Sequence, residues 1–121
     1  MPHSLKGSFR FKREERLAGR DCIKGVFGKG KRIGCLGAKL FVLQNNLPLS
    51  RICFTFSRGF AGAAERNRAK RLGREAYRSL KPNIISGYDL ILLVYPDNPD
   101  TAYAGRVKQL EYLLVKAGLL R

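Results

Sequence analysis

The side chains best suited to a chemical task are cations gathered in one segment, residues 65–81. This segment holds five arginines and two lysines, and Asn67 lies between two of the arginines. A guanidinium group can donate two parallel hydrogen bonds to a phosphate, and an amide adds a neutral donor and acceptor. These residue types at this density predict contacts with phosphate groups.

A helix would place most of these cations on one side. At about 100° per residue, the segment predicts an amphipathic helix with a narrow apolar stripe. The stripe consists of Ala69, Leu72, Gly73, Ala76 and Leu80. The opposite side consists of Arg66, Asn67, Lys70, Arg71, Arg74 and Arg78. Small residues in the stripe allow the helix to lie close to a sheet, while the like charges repel one another unless a polyanion binds.

The charge of the whole chain bears on what this helix does, because a charged helix face is often no more than a solvated surface. The sequence has 24 Lys and Arg against 9 Asp and Glu, a net charge of +15 over 121 residues. The excess is therefore not confined to one helix. A charge of this size favours nucleic acid as the partner.

The sequence offers no recognisable catalytic group of its own. The single histidine, His3, lies near the N-terminus, so no Ser/His/Asp or Cys/His set and no zinc-site spacing can be drawn. The acidic residues show no paired pattern typical of a two-metal nuclease, and no phosphate loop ends in GK[ST]. If the protein serves a reaction, we expect the reactive groups to belong to its partner.

The cysteines and the hydropathy pattern indicate the compartment. Cys22, Cys35 and Cys53 are odd in number, widely spaced and set among apolar residues. We interpret each as a small buried residue rather than a disulfide partner, metal ligand or nucleophile. No apolar run reaches the roughly 18 residues that a membrane span requires. We therefore expect a soluble cytoplasmic protein.

The length and the 45% hydrophobic content suit one domain over residues 1–121. Within it, residues 1–16 are predicted to form a mobile basic arm, because cations alternate there with Phe9 and Phe11. Two roles stay open for this arm. It either lies along a phosphate backbone or is a solvated terminus with one or two apolar anchors.

The remaining elements follow from periodicity and turn residues. A short helix is predicted over residues 20–28, and residues 33–44 indicate either one bent strand or a short strand followed by a longer one. In the second half of that segment, Lys39, Phe41 and Leu43 should share one face, with Ala38, Leu40 and Val42 on the other.

The next strand, residues 51–57, should pair with the preceding strand as a hairpin. Residues 88–95 form an almost continuous apolar run, which is typical of a strand in the middle of a sheet. A final helix is marked by Val107, Leu110, Leu113, Leu114 and Ala117, and Gly118 ends it. The predicted order is helix, two or three strands, helix, strand, helix.

Residues 66–78 resemble the signature helix of the protein subunit of bacterial ribonuclease P, in which Arg-Asn-Arg is followed by Lys-Arg. The segment 51–58 is similar to that family's strand before the helix, and Val26-Phe27 with Gly30 is similar to its first helix. The resemblance covers residues 9–119. It implies an α+β fold, a two-layer α/β sandwich like the second domain of ribosomal protein S5, with a left-handed β-α-β crossover.

The resemblance also implies a function. The family's protein binds a catalytic RNA and helps to remove the 5′ leader of precursor tRNA by Mg2+-dependent hydrolysis at an active site in the RNA. Carried over, the residues facing the catalytic RNA are Arg58, Arg66, Asn67, Arg68, Lys70, Arg71 and Arg74. The residues of a cleft for the single-stranded leader are Ile23, Phe27, Lys39 and Phe41. No metal ligated by the protein, no membrane and no obligatory protein partner is implied.

Three positions depart from the family pattern. Ile23 stands where a second cleft aromatic is usual, Gly59 where a second basic residue is common, and Gly73 where a bulkier apolar residue is usual. Alternative readings are a ribosomal-type binder of structured RNA and a DNA-binding module that uses residues 66–78 as its recognition helix. Phe27 and Phe41 have an alternative too, since both could be ordinary core residues.

Overall fold

One four-stranded sheet forms the centre of the computed structural model, which describes residues 13–59, 62–96 and 103–121. The strands are β1 (Lys31–Cys35), β2 (Ala38–Gln44), β3 (Arg51–Phe56) and β4 (Tyr88–Val94), and their spatial order is β1-β2-β4-β3. The helices are α1 (Arg20–Lys29), α2 (Ala63–Leu80) and α3 (Tyr103–Lys116). This mixed architecture confirms the predicted α+β class and the order of the elements.

The two possibilities left open for residues 33–44 are resolved in favour of two strands. β1 and β2 pair in antiparallel fashion from Lys31 opposite Val42 to Cys35 opposite Ala38. The turn between them is only Leu36-Gly37, and Gly37 has φ +88°. That left-handed conformation favours glycine, which explains why Gly37 interrupts the apolar run.

The predicted hairpin between β2 and β3 is wrong. β4 lies between these strands, pairing antiparallel with β2 and parallel with β3. β3, α2 and β4 therefore form a β-α-β unit whose two strands are neighbours. The left-handed sense of this crossover, which the resemblance implies, stays a prediction.

The prediction that residues 88–95 provide the middle strand is confirmed. Leu90, Ile91 and Leu92 of β4 have no exposed surface, and Val94 is almost fully buried. Consecutive residues of a strand face opposite sides of the sheet, so a continuous apolar run is needed only when both sides are covered. Both sides of β4 are indeed covered in this fold.

Helices α2 and α3 cover one side of the sheet. There Ala38, Leu40 and Val42 of β2 join Ile52 of β3 in a core that is closed by the two helices. The helices contribute Ala76, Tyr77, Leu80, Leu110, Leu113 and Leu114. The predicted alternation of faces along β2 is confirmed, because Phe41 and Leu43 lie on the other side.

Helix α1 and the segment before it cover the other side of the sheet. Val26 of α1 packs with Leu17, Phe41 and Ile91 in a second, smaller core, which Ile23 joins at its margin. Leu17 N–H donates to Ile52 O at 2.9 Å, so the segment lies along the free edge of β3. Residues 1–12 of the predicted arm lie outside the described residues, whereas at its other end Glu15 is buried and Arg16 forms a parallel bridge with Ile52 of β3.

The cysteine interpretation is only partly correct. All three cysteines are free thiols, but Cys22 is exposed, and Cys35 and Cys53 are partly buried. Cys22 lies in the first turn of α1, one turn before the buried Val26 on the same side of the helix, and its side chain is exposed. In the described residues no helix is long and apolar enough to cross a membrane.

Candidate nucleic-acid interface

Helix α2 has sequence signals that match its bounds. Glu65 lies in its first turn and Arg78 in its last, where each charge interacts favourably with the helix dipole. The helix ends at Leu80 and passes into a short 3-10 turn, Lys81–Asn83, that contains Pro82. Proline cannot continue an α-helix because it lacks the N–H donor and its ring clashes with the preceding turn.

The apolar stripe of α2 faces the sheet, as predicted. Ala69, Gly73, Ala76 and Leu80 are buried, together with Tyr77. A Cβ atom added at Gly73 would lie 2.8 Å from two ring carbons of Phe54 in β3, closer than real Cβ contacts. Glycine at this position therefore lets the helix backbone approach the aromatic ring directly.

The cationic side of α2 divides into two parts. Arg66, Asn67 and Arg71 are exposed, and Arg58, two residues after the end of β3, is exposed as well. Arg68, Lys70 and Arg74 are partly buried. The exposed residues are thus accessible to the phosphate groups of a nucleic acid, whereas the other three are partly covered by the rest of the domain.

Arg78 forms an ion pair within α2. Its Nη2 lies 2.7 Å from Glu75 Oε2, one turn earlier in α2. An exposed pair of this kind adds little stability but offsets one positive charge locally. This pairing fits the absence of Arg78 from the predicted RNA-facing residues.

Lys70 and Arg74 face a cavity at the free edge of β3. They line a space of about 180 Å³ together with residues 16–18 and Ile52, Cys53 and Phe54. Burial lowers the pKa of Arg74, and the nearby positive charge of Arg16 lowers it further. Burial raises the pKa of Cys53 to about 11, against the opposing effect of Lys70. The structure thus brings Arg16, which sequence reasoning placed only in the terminal arm, next to Lys70 and Arg74.

The predicted leader residues gather on the opposite side of the sheet from α2. The rings of Phe27 and Phe41 meet edge to face, with centroids 4.8 Å apart and planes at 68°. Phe27 is 41% exposed, but Phe41 is only 6% exposed and belongs to the smaller core. Ile23 is partly buried at the margin of the same core, and Lys39, two residues before Phe41 on β2, is exposed.

The two phenylalanines therefore have different structural roles. Phe27 presents ring surface to solvent, whereas Phe41 supports it from below. The arrangement leaves an apolar surface with a cation at Lys39 on the same side of the sheet. Aromatic and cationic side chains together are the usual components of a surface that binds single-stranded nucleic acid.

The fold and the two surfaces define a class: a basic α+β domain built to bind nucleic acid. A family model described as Ribonuclease P matches residues 11–118. The chain therefore belongs to the ribonuclease P protein family, whose members are RNA-binding proteins of tRNA processing and components of an endoribonuclease complex.

Curated relatives from the same family are similar to this chain in sequence. The chain is 38% identical over 90 residues to the ribonuclease P protein component of Natranaerobius thermophilus, covering 74% of this chain and 68% of the relative. It is 36% identical over 96 residues to the ribonuclease P protein component of Borreliella afzelii, covering 76% and 86% of the two chains.

Solved structures agree on the fold. The RNase P protein from Thermotoga maritima, in complex with 1-(4-fluorophenyl)-2-thiourea, superposes with a TM-score of 0.74 at 27% identity, over 82% of this chain and 96% of that one. A Staphylococcus aureus RNase P protein mutant with defective mRNA degradation activity gives a TM-score of 0.81 at 20% identity, over 89% and 92%. These similarities confirm the α+β fold that the resemblance implied.

Proposed function

We propose that this protein binds the catalytic RNA of ribonuclease P and the 5′ leader of precursor tRNA, and so assists Mg2+-dependent removal of the leader. The observation that carries the proposal is the cationic side of α2, held outward by a buried stripe of small residues. Binding occurs through this helix and through the aromatic surface around Phe27. The protein acts in the cytoplasm and requires no membrane and no further protein partner.

Contacts with the catalytic RNA are made by Arg58 and by the cations of α2. Arg66, Asn67 and Arg71 are exposed, so they can reach phosphates without any rearrangement of the fold. Arg68, Lys70 and Arg74 complete the set closer to the sheet. Each phosphate that a lysine or arginine neutralises releases bound counterions, which makes the affinity fall as salt rises.

Contacts with the leader are made on the other side of the sheet. A base of the single-stranded leader stacks on Phe27, while Phe41 and Ile23 support that ring and Lys39 meets the leader backbone. Stacking on an aromatic ring is worth about 1–3 kcal/mol per base and is tolerant of sequence. A surface of this kind suits an enzyme that processes precursors with many different leaders.

The Mg2+ of the reaction belongs to the RNA active site in this proposal. Within the described ranges, no three His, Cys, Asp or Glu side chains come together as a metal-binding group. The residues of this chain are therefore assigned to binding and orientation, and no chemical step is assigned to a side chain of the protein.

The ribosomal-type alternative, a binder of structured RNA without a part in processing, shares the charge and the fold. The two functions separate in a cleavage assay: a subunit of ribonuclease P lowers the Mg2+ concentration that the catalytic RNA needs for leader removal. A ribosomal-type binder leaves that requirement unchanged. A DNA-binding module would instead prefer duplex DNA to structured RNA in a competition experiment.

A further inference from the structure

The segment before α1 joins the two sides of the sheet within three residues. At its start, Glu15 pairs with Lys81, just beyond the end of α2. Two residues later, Leu17 is buried in the smaller core on the other side of the sheet. The N–H of Leu17 donates to Ile52 O at 2.9 Å. The chain therefore crosses the edge strand β3 from the side of α2 to the side of α1.

The ion pair between Glu15 and Lys81 is shielded from water. Lys81 Nζ lies 3.0 Å from Glu15 Oε1 and 2.9 Å from Oε2, and the side chains are only 9% and 19% exposed, respectively. Burial raises the pKa of Tyr77 in α2, and the nearby charge of Glu15 raises it further. Breaking a buried ion pair is costly, so a pair of this kind holds its two segments together. Glu15 is thus fixed relative to the C-terminal end of α2.

Helix α1 has few anchors of its own on the sheet. The structure describes all ten of its residues, and among them only Val26 is buried. The ring of Phe27, next to Val26, is 41% exposed. Only Ala18 and Gly19 separate the buried Leu17 from the start of the helix. The position of α1, and with it that of Phe27, therefore depends on how the preceding segment is held.

We propose that Glu15 is a positioning residue for leader binding: its ion pair with Lys81 fixes the segment that leads into α1 and so sets the ring of Phe27 against Phe41. The pair connects the end of the cationic helix to the aromatic surface on the opposite side of the sheet. Glu15 acts through Phe27 and needs no contact with RNA. The consequence for leader binding rests on the proposed function, whereas the positioning of Phe27 does not.

The test begins with the full-length protein in the absence of RNA. NMR follows the ring resonances of Phe27 and the cross-peaks between the rings of Phe27 and Phe41. Glu15→Gln keeps the size of the side chain and removes its charge. Glu14→Gln is the matched control, since it makes the same change at the neighbouring glutamate, which is exposed.

The expected result is that Glu15→Gln shifts the Phe27 ring resonances and weakens the cross-peaks, while Glu14→Gln leaves both as in the wild type. Unchanged amide resonances in β4 show that the variants fold. Lys81→Gln breaks the same pair from the end of α2 and should move the same ring signals, so it provides the test if Glu15→Gln fails to fold. Ring signals that stay as in the wild type when the pair is broken overturn the proposal.

A second arm measures the Kd of the holoenzyme for precursor and mature tRNA. Glu15→Gln should raise the Kd for the precursor by about 3- to 30-fold and leave that for mature tRNA unchanged, whereas Glu14→Gln should change neither. In the Phe27→Ala background, Glu15→Gln should have little further effect, because the ring that it positions is absent. A loss by the same factor in both backgrounds would show that Glu15 does not act through Phe27 and would overturn the proposal.

The two arms separate the positioning role from the proposed function. If the ring signals move in the free protein but the wild-type holoenzyme binds precursor and mature tRNA equally, the proposed function is contradicted and the positioning of Phe27 stands. If the wild type prefers the precursor and Glu15→Gln keeps the full preference, the positioning role in leader binding is overturned.

Discussion

Phe27 and Phe41 touch each other but differ sharply in exposure, and that difference separates binding from packing. Phe27→Ala should weaken binding of leader-bearing precursor tRNA to the holoenzyme by about 5- to 150-fold, the equivalent of one lost stacking contact. Binding of mature tRNA should change little, because mature tRNA has no leader. The measurement is the Kd of the holoenzyme for the two ligands.

Phe41→Ala provides the contrast, because Phe41 is 6% exposed and packed among Leu17, Val26 and Ile91. Removing its ring should lower the free energy of unfolding by about 3–5 kcal/mol, as for other buried aromatic residues. If Phe27→Ala reduced affinity equally for precursor and mature tRNA, the ring of Phe27 would have no specific part in leader binding.

Arg71 is exposed on α2 and should make its contribution as a phosphate contact. Arg71→Ala should weaken binding to the catalytic RNA and should flatten the dependence of log K on log salt by roughly one ion. Arg68→Ala should behave in the same way. Lys108→Ala, with the same loss of charge on α3, is the control, and an unchanged slope in both α2 variants would remove this helix from the interface.

Cys53 should couple stability to alkaline pH. Burial raises the pKa of this thiol from its ordinary value of 9.0 to about 11 in the folded protein. Between these pH values the unfolded chain loses the thiol proton while the folded chain keeps it, so stability should fall as pH rises from 9 towards 11. Burial also raises the pKa of Tyr77, whose effect has the same sign.

The measurement is the free energy of unfolding as a function of pH for the wild type and Cys53→Ala. The variant should lose stability less steeply above pH 9, because only the contributions of Tyr77 and Cys35, whose pKa values burial also raises, and other general effects remain. Below pH 8 the two curves should run parallel. Identical slopes above pH 9 would show that the environment of Cys53 is not as buried as the structure has it.

At the scale of elements, the contact between α2 and β3 depends on the absence of a side chain at Gly73. Alanine is the better helix former by about 1 kcal/mol, yet its Cβ would lie 2.8 Å from the ring of Phe54. We expect Gly73→Ala to lower the free energy of unfolding by about 1–2 kcal/mol, because the strain of overpacking exceeds the gain in helix propensity. Urea denaturation measures this difference.

Gly25 in α1 is the matched control, since a Cβ there would meet nothing within 4 Å. Gly25→Ala should therefore stabilise the protein by about 0.5–1 kcal/mol. Adding Phe54→Leu to Gly73→Ala should restore part of the lost stability by making room for the methyl group. A stabilising effect of Gly73→Ala alone would contradict the close packing of helix and strand.

The helix and strand patterns of this fold were predictable because they depend on local periodicity. The buried stripe of α2, the alternating faces of β2 and the double burial of β4 all follow from side-chain spacing along the chain. The strand that pairs with β3 cannot be predicted from this spacing. Sequence proximity suggested β2, but β4 takes that place, because a parallel pairing through α2 leaves no local signature that distinguishes it from a hairpin.

The exposure of individual residues was harder to predict than the elements that carry them. Cys22 and Val26 lie one turn apart on the same side of α1, but Val26 is buried and Cys22, in the first turn, is exposed. Phe27 and Phe41 both lie in predicted elements with apolar residues nearby, so the sequence does not distinguish them. Only the fold places Phe27 at the surface and Phe41 in the core. The sequence carries one local signal for the position of Arg16: it lies between Glu15 and Leu17. Both of these neighbours are buried in the fold, whereas Arg16 is exposed.

At the scale of the whole molecule, the proposed interface spans two sides of one sheet. The cations of α2 lie on one side and Phe27 on the other, while Arg16 lies at the edge strand between them. A domain with a surface of each kind on opposite sides of its sheet can contact a folded RNA and a single strand at once. Under the proposed function, this arrangement would let the protein influence how a precursor tRNA meets an active site in the RNA.

The most direct test of this account is single-turnover cleavage of precursor tRNA by a bacterial ribonuclease P RNA at a Mg2+ concentration too low for the RNA alone. The account predicts that the wild-type protein and Lys108→Ala restore cleavage at the leader junction, and that Arg71→Ala does so only at higher protein concentration. Tight binding of the RNA without any stimulation of cleavage would contradict it.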